Sequence, residues 1–114
     1  MEFDDILSTS RQELRRGTVV LACLLKLREA GYGYALLEEL RELGFAVDAN
    51  TLYPLLRRLE AQGMLVSEWN TQETRPRKFY RTSPEGERLA SELLADWDQV
   101  DASVRRLGQG GHTS

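Results

Sequence analysis

Apolar residues recur at helical spacing along most of the chain, and the breaks between stripes fall mostly at glycine and proline. Phe3, Ile6, Leu7 and Leu14 form a weak stripe over residues 3–15, closed by Arg15-Arg16-Gly17. Thr18 suits the N-cap of a helix running to about Ala30. Val19, Val20, Leu21, Ala22, Cys23, Leu24, Leu25 and Leu27 make that helix apolar almost all round, which predicts a central place in the core. Gly31-Tyr32-Gly33 interrupts it. From Tyr34 to Leu43 the pattern is amphipathic, with Leu36, Leu37, Leu40 and Leu43 inward and Glu38, Glu39, Arg41 and Glu42 outward. Gly44 fits the position just past a helix end.

Asp48 can cap a further helix to about Gln62, in which Leu52, Leu55, Leu56 and Leu59 stand at i, i+3, i+4 and i+7. Pro54 conflicts with a helix interior, so regular helix is expected from about Thr51 or Leu52, with Pro54 in the first turn. After Gly63, Leu65 to Trp69 alternates and Arg77 to Thr82 is rich in strand-favouring aromatics. The polar loop between them, Asn70 to Pro76, makes this a β-hairpin with a basic tip. Ser83-Pro84-Glu85 is a strong helix start, and that last helix is expected to reach about Leu107. The order is that of a mainly α (α+β) winged helix-turn-helix. Residues 1–82 form the winged domain with its N-terminal helix 3–15, residues 83–107 a C-terminal dimerisation helix, and residues 108–114 a disordered tail.

At 114 residues, 41% hydrophobic and 29% charged, one domain is expected. The longest apolar run, Val19 to Leu25, is seven residues, far short of the ~20 that cross a membrane. Glu2, Asp4 and Asp5 are the wrong charge for a signal peptide, so a cytoplasmic protein is expected. Cys23, the single cysteine, excludes an internal disulfide and a cysteine-based zinc site. The formal charge of −3 argues against a nucleic-acid partner until its distribution is considered. Residues 50–81 hold six basic side chains (Arg57, Arg58, Arg75, Arg77, Lys78, Arg81) against three acidic ones (Glu60, Glu68, Glu73), a local +3 on a body of −6. Such a segment can face a polyanion that the rest of the surface repels.

Two neighbouring features match that field. With its leucines inward, the helix after Asp48 leaves Asn50, Thr51, Tyr53, Arg57 and Arg58 on or near its outer face. A helix of ~10–12 Å diameter fits a major groove ~12 Å wide. Asn and Arg can pair with base edges, while Thr, Tyr and the helix N-terminus can hold phosphates. At the hairpin tip, Arg75, Arg77 and Lys78 can lie against phosphates or enter a minor groove. A solvated amphipathic helix and a soluble basic turn remain the alternatives for each feature alone.

Gly31-Tyr32-Gly33-Tyr34, the run Asn50-Thr51-Leu52-Tyr53-Pro54-Leu55-Leu56-Arg57-Arg58-Leu59-Glu60, and Arg75-Pro76-Arg77-Lys78-Phe79-Tyr80-Arg81 resemble the PadR family of bacterial transcriptional regulators. The resemblance extends from about Arg15 to Leu107. It implies a dimeric winged-helix repressor on a palindromic operator in double-stranded DNA, with the Thr-Leu-Tyr helix on DNA and the basic hairpin as wing. The residues so assigned to DNA are Tyr34, Asn50, Thr51, Tyr53, Pro54, Arg57, Arg58, Arg75, Arg77 and Lys78. Thr82 departs from the family, which has an apolar residue before the helix cap, and this bears on local packing.

In the last helix Leu93, Trp97, Val100, Val104 and Leu107 follow spacings of 4, 3, 4 and 3, with Leu89 one turn earlier: a heptad seam. Its partner is either its own domain or a second copy, and half-sites ~34 Å apart favour the second copy. The dimer set is therefore Phe3, Leu7, Leu89, Leu93, Trp97, Val100, Val104 and Leu107. The resemblance further implies a role for Trp97 in a pocket between subunits that takes a small planar aromatic effector; the alternative is a seam tryptophan that is simply core. Gly31-x-Gly33 follows a helix and is no dinucleotide fingerprint. Asp96, Asp98 and Asp101 share no helical face, so no metal is expected, and no cofactor. The one histidine, His112, lies in the tail, and no nucleophile–base pair stands at plausible spacing, so no enzyme is expected. The acidic total charge leaves open a second reading, a winged-helix protein–protein adaptor without DNA affinity.

Overall fold

In the computed structural model residues 2–72 and 74–110 are described. They form α1 (Phe3–Arg16), α2 (Val19–Lys26), β1 (Gly31–Tyr32), α3 (Gly33–Glu42), α4 (Ala49–Ala61), β2 (Leu65–Asn70), β3 (Arg77–Thr82) and α5 (Pro84–Gly110). The three strands make an antiparallel sheet of order β1-β3-β2. β2 and β3 pair from Leu65↔Thr82 to Asn70↔Arg77, and β1 adds Gly31↔Tyr80 and Tyr32↔Phe79 at the other edge of β3.

The core forms where the apolar faces of α2, α3 and α4 meet the base of the hairpin. Cys23, Leu24, Leu27, Leu36, Leu40, Leu52, Leu56, Leu59, Leu65 and Ala90 are sealed from solvent. Burial alone pushes the Cys23 thiol up to about 12, so it is neutral and inert at physiological pH. Thr82 is buried and useful. Its N–H donates to Leu27 O at 2.8 Å and its hydroxyl to Leu24 O at 2.7 Å, which satisfies carbonyls at the end of α2. An apolar residue there could not supply the second bond. Ser83 accepts from the Gly86 N–H at 3.0 Å as the cap of α5 and donates to Gly63 O at 2.6 Å, fixing helix to hairpin. A Cβ added at Gly86 would lie 2.1 Å from Met64 O, so only glycine allows α5 this close to the hairpin base.

Several elements depart from the sequence expectation. α2 ends at Lys26, not near Ala30, because its last carbonyls turn to Thr82 and residues 31–32 join the sheet as a strand that the pattern did not show. α4 begins at Ala49, with Asp48 Oδ1 accepting from Thr51 N at 2.9 Å, so Pro54 sits inside the helix and not in its first turn. The carbonyl it leaves without an i+4 partner, that of Asn50, belongs to the exposed side, where solvent can satisfy it. Leu43, expected inward, is 65% exposed because α3 ends at Glu42 and the chain turns at Gly44, φ +95°. α5 continues to Gly110, so residues 108–110, expected in the tail, are helical; residues 111–114 lie outside the described residues.

Candidate nucleic-acid interface

Three leucines decide which side of α4 faces out. Leu52, Leu56 and Leu59 are buried, which leaves Asn50, Thr51, Pro54, Arg57 and Arg58 exposed and Tyr53 half-buried. The Tyr53 ring lies against Gly33 at the start of α3, where a Cβ would come within 2.6 Å of a ring carbon. Among the described residues, no carboxylate pairs with Arg57, Arg58 or Arg75 within 4.0 Å. These guanidinium groups are therefore open to an anion.

The wing stands beside α4, and the cleft between them is rich in rings and cations. Its walls, enclosing about 590 Å³, include Tyr34, Tyr53, Trp69, Arg75, Arg77 and Lys78. Tyr32 stacks on Tyr34 with ring centres 5.7 Å apart, and the Arg77 guanidinium lies 5.0 Å from the Tyr34 ring centre. Tyr32 also accepts from Asn70 Nδ2 at 2.8 Å, which holds the wing to the start of α3. Tyr32 and Trp69 had no assigned role in the sequence. The signal for Trp69 lies in the hairpin register, which sets it opposite Lys78.

Lys78 differs from the other wing cations. Its ammonium is half-buried, 2.9 Å from Glu60 Oε1, and 5.4 Å from the centre of the Tyr80 ring. Ser67 donates to the other Glu60 oxygen. That hydroxyl, followed by Lys78, holds the Glu60 carboxyl below the usual carboxylate range, and Glu60 in turn raises Lys78. Lys78 thus ties the wing to the last turn of α4 instead of standing free at the tip.

The expected dimer residues divide into two groups. Leu89 and Leu93 are half-buried and pack against the core of their own chain. Trp97, Val100, Val104 and Leu107 are 46, 59, 60 and 76% exposed, and Phe3 is exposed while Leu7 is half-buried. Between α5 and the α1–α2 corner runs an apolar groove of about 550 Å³, lined by Leu14, Leu21, Leu25, Phe45, Leu94 and Trp97 among others. Among the described residues no helix is long and apolar enough to cross a membrane, and no group of three or more His, Cys, Asp or Glu could hold a metal ion.

A helix-turn-helix pair, an adjoining antiparallel wing and a long C-terminal helix define a winged-helix transcriptional regulator. The family model of the Transcriptional regulator PadR-like family matches residues 20–92, and the chain belongs to that family. It is 39% identical to the Transcriptional regulator Rv3488 of Mycobacterium tuberculosis (strain ATCC 25618 / H37Rv) over 83 residues, 73% of this chain and 76% of that one. A PadR family transcriptional regulator from Eggerthella lenta DSM 2243 has a crystal structure similar at a TM-score of 0.86 and 50% identity, covering 92% of this chain and 94% of that one. A PadR-like transcriptional regulator (BC4206) from Bacillus cereus strain ATCC 14579 is similar at a TM-score of 0.78 and 27% identity, covering 86% and 98%.

Proposed function

We propose that the chain acts in the cytoplasm as a homodimeric repressor that reads a palindromic operator in double-stranded DNA. In this reading α4 enters the major groove, Asn50 and Arg57 meet base edges, and Tyr34, Thr51, Tyr53, Pro54, Arg58, Arg75 and Arg77 lie along the backbone. The observation that carries it is the exposed face of α4, whose two arginines lack carboxylate partners among the described residues, next to a cationic wing. Two such helices reach one duplex if the exposed outer half of α5 pairs with a second copy, with Phe3 and Leu7 at its margin. The apolar groove beside Trp97 suits a small planar aromatic effector, whose binding would release the operator by shifting the two α4 helices apart.

Fluorescence anisotropy on DNA flanking the chain's own gene tests the reading. Neutralising roughly 6–10 phosphates per dimer gives a slope of log affinity against log salt of about −5 to −9. Arg57→Ala is expected to cost about 1–3 kcal/mol on the operator and clearly less on random DNA. Equal losses on both would remove base reading from Arg57. No rise in anisotropy at low salt on any duplex would favour the adaptor reading that the net charge of −3 suggests.

A further inference from the structure

α4 has two flanks, and the wing occupies only one of them. Along the other, Thr51, Pro54, Leu55 and Arg58, spaced by three, one and three residues, form one wall of an open cleft of about 560 Å³. The opposite wall comes from the last turn of α1 and the start of α2: Gln12, Arg15, Arg16, Val19 and Val20. Three arginines from two helices thus line one cleft. Among the described residues Arg15 and Arg58 have no carboxylate within 4.0 Å, and Arg16 has only Glu13, at 3.9 Å and strongly exposed. Arginines in a last turn also favour their own helix by facing its negative end. That holds for Arg15 and Arg16 in α1 and for Arg58 in α4 alike, but it does not require the ends of two helices to bring them to one cleft.

We infer that this cleft is a second backbone-binding site, taking the phosphates of the DNA strand on the side of α4 away from the wing. The inference rests on the DNA-binding reading above. A helix of ~10–12 Å diameter fills a major groove ~12 Å wide, so each flank of the helix faces one of the two bordering strands. The wing serves one strand and Arg15, Arg16 and Arg58 serve the other, with Gln12 and the Thr51 hydroxyl as neutral donors. The cleft shares Arg15 and Phe45 with the apolar groove along α5, so it lies on the side toward the partner copy. Its phosphates are those between the two half-sites, and the wing's are those outside them. Arg15 and Arg16 are thereby DNA contacts contributed by the N-terminal helix, outside the helix-turn-helix and the wing.

The test uses the full chain with Arg15→Gln and Arg16→Gln together, on a footprinted operator duplex. Removing four arginines per dimer is expected to make the salt slope shallower by roughly 3–4, at about 0.9 per phosphate. Phosphate-ethylation interference should weaken between the half-sites and persist outside them, with Arg75→Gln giving the converse pattern. Light scattering and circular dichroism verify that the variant is still folded and dimeric. Arg16→Gln alone, at an exposed position, carries the same expectation at half the size should the double variant fail to fold. An unchanged slope and unchanged central interference, while Arg57→Ala still weakens operator binding, would overturn the cleft and leave the DNA reading intact. A wild-type chain that binds no duplex at all overturns both.

Discussion

The two halves of α5 carry the same kind of side chain and meet different surroundings. Up to Leu93 the apolar positions are covered by the chain's own α2 and hairpin base, with Ala90 sealed and Leu89 and Leu93 half-buried. From Trp97 onward the same heptad spacing continues, yet each large apolar residue of the seam is at least 46% exposed. The radius of gyration, 17.2 Å, exceeds the ~13 Å expected of a globular chain of this length, in keeping with the exposed outer half of α5 and an α1 that buries no residue. Apolar periodicity therefore marks a face without saying whether the chain itself covers it. The first half is intramolecular core; the second half is left open to solvent in the single chain.

Breaking the first half should cost most. Gly86→Ala drives a Cβ to 2.1 Å from the Met64 carbonyl, so α5 must lift from the hairpin. We expect a loss of about 3 kcal/mol or more and a melting temperature lower by roughly 10–20 °C in a calorimetric scan. Breaking the second half should leave the body folded. Trp97→Ala with Val104→Asp is expected to weaken self-association at least ~100-fold while the winged body keeps its circular dichroism. A double variant that unfolds would make the outer half part of the core after all.

A smaller effect tests the tie between the wing and α4. The native Glu60 carboxyl titrates below its ordinary range, so its stabilisation is present above that range and is lost as pH falls through the lowered native value. Lys78 is raised, so its part is present below the ordinary lysine value and is lost at still higher pH. The tie is thus complete from roughly pH 5 to 10. Glu60→Gln is expected to cost less than about 1 kcal/mol at neutral pH and to flatten the acid limb of a melting-temperature profile. An acid limb as steep as wild type would mean that other carboxylates govern it.

What the sequence revealed was local, and what it concealed was not. The Asp48 and Ser83 caps, the inward Leu52, Leu56 and Leu59, and the hairpin bounds follow from signals within a few residues. β1 is two residues long and is defined by pairing with Phe79 and Tyr80, far along the chain. The end of α2 at Lys26 depends on Thr82, and the pairing of Glu60 with Lys78 spans a turn and a hairpin. Pro54 misled because a proline-bearing helix can still start five residues earlier when its cap is strong and the freed carbonyl faces solvent. The exposed residues of α4 were legible from periodicity. The cleft that adds Arg15 and Arg16 was not, since it needs the approach of α1 to α4.

Light scattering of the wild-type chain at micromolar concentration, alone and then with a short duplex holding one operator, tests the central claim most directly. Two chains should be found before DNA is added and the same two on a single duplex afterwards. A lone subunit in both states would contradict the assignment of the outer half of α5 to a second copy.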